Sequence, residues 1–262
     1  MADPSLTLAA LRRHLAVAMA EPPSQGAGMF ALGHGEMDQA LGGGLPRGRL
    51  HEVYAGQKED AASAAGFALI LALRACPAGA PIFWVRQEAG ERRIGEVHPP
   101  GLIELGADPD RMVFVRAPDE KAVLRAAADI VRSPGVGAAL IEPWGKAPAL
   151  DLTASRRLAL AAEKSGVTAL MLRGAIAPLP STATSRWTVS AAPSTPLEAD
   201  APGHPAFEVD LLRHRSGLSG LRWRVEWDRD RLCFREPPLS GAVVPLPAGG
   251  RLADGEGWRR YG

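Results

Sequence analysis

Residues 49–75 read RLHEVYAGQKEDAASAAGFALILALRA, and this stretch decides the fold. Its first part, 49–54, is a short apolar strand. Gly56 follows, and from 60 to 75 runs a helix that is apolar nearly all round. A helix without a polar face has to be buried. Asp60 stands where its N-cap would be. A strand, a glycine and a buried helix open a βαβ unit, whose second strand lies parallel to the first.

The pattern recurs downstream. PIFWV at 81–85, RMVFVRA at 111–117, VGAALIE at 136–142 and VTALMLR at 167–173 read as strands. Helices are predicted at 119–133, with Asp119 near the start, and at 151–166, with Gly166 as the closing C′ glycine. Near-continuous apolar strands are expected in a sheet covered on both faces. The fold class is therefore α/β, with a mainly parallel sheet flanked by helices. After a Pro/Ser/Thr loop at 175–186, a strand at 186–192 and a second Pro-rich loop at 193–205, the period changes to two. AFEVDLLRHR, LRWRVEWD and RLCFRE alternate as antiparallel strands do, and they belong at the C-terminal edge of the sheet. In the second, Leu221, Trp223, Val225 and Trp227 face one way and Arg222, Arg224 and Glu226 the other.

Upstream of 49, residues 29–48 hold a short helical centre, Met37 to Leu41, ended by the triple glycine 42–44. Residues 4–20 form an amphipathic helix with Leu6, Ala9, Leu11 and Leu15 on one face, followed by a linker through Pro22, Pro23, Ser24 and Gly26. The stretch 237–262 has too little contiguous apolar content to fold alone. Three parts result: 1–28, an N-terminal helix and linker; 29–236, the core; and 237–262, a disordered tail.

Composition narrows the function classes. Of 262 residues, 46% are hydrophobic and 23% charged, an ordinary globular mixture. Thirty Lys and Arg against 29 Asp and Glu leave a net charge of +1, which excludes coating a nucleic acid by bulk charge. Two cysteines, Cys76 and Cys233, exclude a disulfide scaffold and a cysteine-built zinc site. The six histidines show no i, i+3 or i+4 pair, so no metal is expected. No apolar run is long enough to span a bilayer, and Arg12 and Arg13 interrupt the early apolar stretch where a signal peptide would need continuity. A cytoplasmic protein is the expectation.

Between strand and helix, a phosphate loop would need G-x-x-x-x-G-K-[ST], with backbone N–H groups and a lysine around the phosphates. The chain has Gly56, Gln57, Lys58, Glu59, Asp60, Ala61, Ala62 and Ser63. The first Gly and the final Ser are in place. Ala61 replaces the second Gly and Ala62 the lysine, Glu59 and Asp60 oppose a triphosphate, and Lys58 sits on the wrong side of the helix start.

The order LGGGLPRGRLHEVYAG, helix, IFWVRQEA, LIELGADPDRMVFVRAPDEKAVLRAAADIV and GAALIEPW resembles the core of the RecA recombinase family across roughly residues 29–236. Its most specific part is the turn Leu45-Pro46-Arg47-Gly48-Arg49 with Glu52-Val53-Tyr54. The missing lysine and the strand Arg222-Trp223-Arg224-Val225-Glu226-Trp227 narrow it: the chain is similar to the ImuA family, RecA-related and often grouped with SulA-like proteins. The resemblance implies an accessory assembly factor for SOS-induced, error-prone translesion synthesis, acting by protein contacts. Its implied partners are an ImuB-like Y-family protein, RecA, and an error-prone replicative-type polymerase subunit, and through them it would associate with the nucleoid. An active RecA-type DNA-dependent ATPase with a non-standard phosphate loop, using ATP and magnesium, is the competing reading. A SulA-like division inhibitor is a third.

Carried over by residue, the resemblance makes Glu88 the water-activating glutamate, Glu142 the Walker B carboxylate and Ser63 the magnesium-binding hydroxyl. Without the lysine these three lack their central partner, so no cofactor is expected. The alternative for Glu88 and Glu142 is a structural one, as strand-end carboxylates satisfied by helix N-termini. Arg173 and Arg186 bracket the segment where RecA carries a DNA-contacting loop, which implies a weak DNA contact at most. The arginines of the edge ribbon are offset by neighbouring carboxylates, and Trp187, Trp223 and Trp227 are expected in the core or an apolar interface. Partner binding is expected from Leu11 and Leu15 at one end and Trp258, Arg259, Arg260 and Tyr261 at the other, since aromatic and Arg residues dominate interface hot spots.

Overall fold

The computed structural model describes residues 28–236, apart from 198 and 200. The helix expected at 4–20 and the tail at 237–262, with Leu11, Leu15, Trp258, Arg259, Arg260 and Tyr261, lie outside the described residues. Strands β1 (Met29–Phe30) and β2 (Leu45–Pro46) pair as a small antiparallel ribbon around helix α1 (Gly35–Ala40). The next six strands are β3 (Leu50–Ala55), β4 (Ile82–Gln87), β5 (Met112–Ala117), β6 (Ala138–Glu142), β7 (Thr168–Arg173) and β8 (Ser185–Ala191). They run parallel. Antiparallel β9 (Ala206–His214), β10 (Leu221–Asp228) and β11 (Cys233–Arg235) extend the same sheet, in the order β11-β10-β9-β8-β3-β7-β6-β4-β5.

The connecting helices are α2 (Ala61–Ala75), α3 (Glu88–Ile94), α4 (Pro99–Glu104), α5 (Glu120–Val131) and α6 (Leu152–Ser165). Helix α2 covers one face of the sheet, and α5 and α6 cover the other. Asp119 caps α5 by accepting from Ala122 N–H at 2.8 Å, and Asp151 caps α6 by accepting from Ala154 N–H at 2.7 Å. Gly166 ends α6 in the left-handed conformation. The β1–β2 ribbon and α3 carry no sequence signal, because two-residue strands have no period and α3 is short and polar. No described helix is long and apolar enough to cross a membrane.

Helix α2 is buried from both sides. Its Phe67 lies 5.9 Å from Trp187, 6.1 Å from Phe207 and 5.4 Å from Phe234 between ring centres. Trp223 reaches Trp187 at 6.2 Å and Trp227 reaches Phe234 at 5.2 Å. The apolar face of β10 therefore closes the core over α2. The opposite face of β10 departs from simple alternation. Glu226 is fully buried because Thr195 N–H, Thr195 Oγ1 and Arg235 all donate to its carboxylate.

The Leu45-Pro46-Arg47-Gly48 turn serves α2 directly. Arg47 donates through Nε to Ala75 O at 3.0 Å and through a terminal nitrogen to Arg74 O at 3.3 Å, so a guanidinium satisfies carbonyls at the C-terminus of α2. Gly48 has φ +63°, and a Cβ there would stand 3.1 Å from the Cα of Gly166, so a side chain would be strained and crowded. His51 closes the turn from below. Its Nε2 lies 3.0 Å from Pro46 O, which can only accept, so Nε2 carries the proton. Nδ1 then accepts from Ser185 Oγ at 2.7 Å, and Ser185 Oγ accepts from Trp187 Nε1–H at 2.8 Å.

Burial pushes the His51 imidazole down from its ordinary 6.5 to about 4. The unfolded chain takes up this proton below about pH 6.5 and the folded chain only near 4, so stability is full above that window and falls with pH inside it. The His51 contribution to the loss is about 3 kcal/mol. Urea unfolding across this pH range should show a distinctly shallower slope for His51→Gln than for the parent; identical slopes would contradict the assignment.

Candidate functional site

In a parallel sheet with helical crossovers, ligands sit at the C-terminal ends of the strands. Here β3 ends at Ala55 and passes through Gly56 into a 3-10 turn, Lys58–Asp60, that leads into α2. Gly56 N–H donates to Val189 O at 2.9 Å, so the loop lies against β8, and a Cβ on Gly56 would stand 2.2 Å from Ser190 Oγ. The Asp60 carboxylate turns back into the loop. It accepts from Gln57 N–H at 3.1 Å and from Ala191 N–H at 2.8 Å, and only 3% of the residue is exposed.

Asp60 does occupy the N-cap position of α2, but its side chain makes no bond to that helix. The intervening 3-10 turn uses the carboxylate instead to close a capping box with Gln57. The consequence for phosphate is direct. The N–H groups of Gly56, Gln57 and Asp60 are all bonded within the protein, the last to Gln57 O at 3.1 Å. A triphosphate placed against this loop would meet a buried carboxylate, with Ala62 in place of the helix-start lysine, so these residues do not fit ATP bound in the usual way. Ser63 lies half-buried in the first turn of α2, and Lys58 and Glu59 are exposed.

Two strands away, Glu142 ends β6 and is 8% exposed. Its Oε2 accepts from Trp84 Nε1–H at 2.9 Å and from Arg86 Nε–H at 2.8 Å. The parallel register aligns Glu142 with Arg86 and Arg86 with Arg116. Glu91 from α3 lies 3.7 Å from Arg86 and 2.7 Å from Arg116. Acid and base thus alternate along one row across three strands. Glu142 is satisfied by this row and by an indole, not by a helix N-terminus. Glu88 opens α3, sits half-exposed, and accepts from Arg92 at 3.3 Å one turn on.

A second row crosses β7, β3 and β8. Register pairs Glu52 with Arg186 and Tyr54 with Arg173. Arg186 Nε lies 3.0 Å from Glu52 Oε2, and Tyr54 Oη donates to the same oxygen at 3.0 Å. Burial and the Glu52 charge push the Tyr54 phenol well above its ordinary value. Arg173, 3% exposed, donates to Lys146 O at 2.9 Å, and burial lowers its pKa. The structure therefore turns Arg173 and much of Arg186 inward, the first onto Lys146 O and the second onto Glu52.

Arg86, Glu91, Arg116 and Glu52 were invisible as a set in the sequence. They are scattered through four elements, and only strand register and the placement of α3 bring Arg86, Arg116 and Glu91 together and set Glu52 beside Arg186. Trp187, Trp223 and Trp227 belong to the core already described. Among the described residues no three His, Cys, Asp or Glu side chains converge as a metal site would require.

Removing one member of a buried ion pair costs more than removing both. Arg86→Met should lower unfolding stability by about 3 kcal/mol, and adding Glu142→Leu should recover part of it. Chemical denaturation of the two variants measures this; a cost near zero for Arg86→Met would show that the row carries no structural load.

No protein-family model matches the chain. Protein ImuA of Caulobacter vibrioides, in each of two strains, is 37% identical over 193 residues, covering 68% of this chain and 75% of that protein. Among solved structures, that of the RadB recombinase superposes with a TM-score of 0.53 at 16% identity, covering 79% of this chain and 99% of that one. The second likeness speaks for the fold alone: a RecA-like core. Identity at the level of the first, across most of both sequences, shows that the chain belongs to the ImuA family.

Proposed function

We propose that the chain is an accessory assembly factor for SOS-induced, error-prone translesion synthesis that works through protein contacts and not through ATP turnover. Membership of the ImuA family supports the DNA-repair and mutagenesis theme. The observation that supports the non-catalytic part is that the Asp60 carboxylate turns into the phosphate loop, where it accepts the Gln57 and Ala191 N–H groups. Glu142, the Walker B counterpart, is likewise engaged by Arg86 and Trp84. The partners we assign are an ImuB-like Y-family protein, RecA, and an error-prone replicative-type polymerase subunit. DNA contact is weak or indirect, consistent with a net charge of +1 and with Arg173 and Arg186 turned inward. Action in the cytoplasm, at the nucleoid through these partners, belongs to the same proposal.

If the loop is structural, restoring its consensus residues is not enough. Ala61→Gly with Ala62→Lys should show no magnesium-dependent ATP hydrolysis above the parent, since Asp60 still opposes phosphate. Robust turnover in that double variant would overturn the non-catalytic reading and favour the competing ATPase.

The contacts with the Y-family partner are assigned to the flanking segments, chiefly Trp258, Arg259, Arg260 and Tyr261, with Leu11 and Leu15 contributing. Deleting 237–262 should leave thermal unfolding unchanged and weaken association with the co-purified partner by about tenfold, or ~1.4 kcal/mol. Equal affinity for full-length and truncated chains would move the interface onto the core.

A further inference from the structure

Helices α5 and α6 lie side by side on the sheet face opposite α2, and a groove of about 490 Å³ opens between them. Its apolar lining is Leu124, Ala128, Ala149, Ala154 and the nearly buried Leu158. Lys121, Arg125 and Arg132 of α5 and Arg157 of α6 line it as well, and all four are exposed. The first three fall at i, i+4 and i+11 with Ala128 between them, so they form one stripe along the helix. Asp129 is the one carboxylate in the lining, and it pairs with Arg132 at 3.3 Å.

Several arginines elsewhere on the described surface are committed to partners. Arg222 is held by Asp210, Arg229 by Glu104 and Arg49 by Glu163. Arg47, Arg74 and Arg111 are spent on backbone carbonyls. Lys121, Arg125 and Arg157 have neither an ion pair nor a hydrogen bond among the described residues. Three uncommitted cations beside an apolar lining do nothing for the fold. They would attract a partner that brings both carboxylates and apolar side chains.

We infer that the α5–α6 groove is a docking surface for an acidic amphipathic helix of a partner protein. This goes beyond the reading above, which rests on the flanking segments. A helix laid in the groove would place a row of Leu or Ile side chains on Leu124, Ala128 and Leu158 and set Glu or Asp against the cations. The twelve residues of α5 extend about 18 Å, enough to face three turns of such a helix. A nucleic acid suits the groove less well, because phosphates would use the cations and leave the apolar lining uncovered. The chain's own N-terminal segment suits it less well too, since Arg12 and Arg13 match the charge of the rim.

The test uses the full-length chain and, as probe, a labelled synthetic helical peptide of about four turns with Leu on one face and Glu along both flanks. A scrambled peptide of the same composition is the control, and fluorescence anisotropy is the readout. The amphipathic peptide should bind saturably, more weakly as salt rises, while the scrambled one should not bind. Lys121→Glu with Arg125→Glu should weaken binding about tenfold or more at an unchanged melting temperature. Ala128→Trp, which fills the groove without changing charge, should weaken it as well. Equal binding of the scrambled peptide, no saturation, or insensitivity to both variants overturns the inference. So does single-stranded DNA binding more tightly than the peptide through Lys121 and Arg125, which would mark a phosphate surface. No cassette partner enters the measurement, so its outcome is separate from that of the proposed function.

Discussion

Everything in this molecule is arranged around a helix that has no polar face. Helix α2 is built from Ala, Phe, Leu and Ile apart from Ser63 and Gly66, with no charge until Arg74. Exposed, it would lose the burial that makes it fold, roughly 2 kcal/mol for each large apolar side chain. The parallel strands cover one side of it. The other side is sealed by the β1–β2 ribbon and by aromatic residues from β9, β10 and β11. That second requirement explains the antiparallel extension: without Phe207, Trp223, Trp227 and Phe234, Phe67 would face water. Arg47 and Arg74 then fasten the outer layer, the first through Met29 O and the second through Ala31 O and Leu232 O.

The same closure bears on the strand ends. Because β8 is drawn against β3, Val189 and Ala191 reach the loop where phosphate would be cradled, and Asp60 ties that loop to β8. Buried charges need partners that also complete their hydrogen bonds. The parallel register supplies them in two rows, Glu142 with Arg86, Glu91 and Arg116, and Glu52 with Tyr54 and Arg186. Glu142 at the end of β6 is spent on a guanidinium and an indole. At these strand ends the polar side chains hold neighbouring strands together.

On the face away from α2, Lys121, Arg125 and Arg157 have no carboxylate partner among the described residues, whereas Arg49, Arg116, Arg222, Arg229 and Arg235 each have one. The surface charge is uneven although the total is close to zero, and it is the local excess, not the sum, that steers a partner.

The local pattern alone determined the layer order. The buried helix 60–75, the apolar strands before and after it, the caps at Asp119 and Gly166 and the alternation Trp223, Val225, Trp227 are all local signals, and each element appears within a residue or two of its expected bounds. The loss of the lysine at Ala62 was equally legible, since it needs only a position. Tertiary structure decided what each polar group does. Asp60 could be placed at a helix start from sequence, but its bond to Ala191 spans 131 positions. Glu142 could be placed at a strand end, but Arg86 lies 56 residues away and meets it only because β4 and β6 are neighbours in register. Arg173 and Arg186 look like loop cations until Glu52 and Tyr54, on the strand between theirs, draw them inward. Periodicity reports which face of an element is buried; it carries no information about which strands become neighbours, and ion pairs between strands depend on that alone.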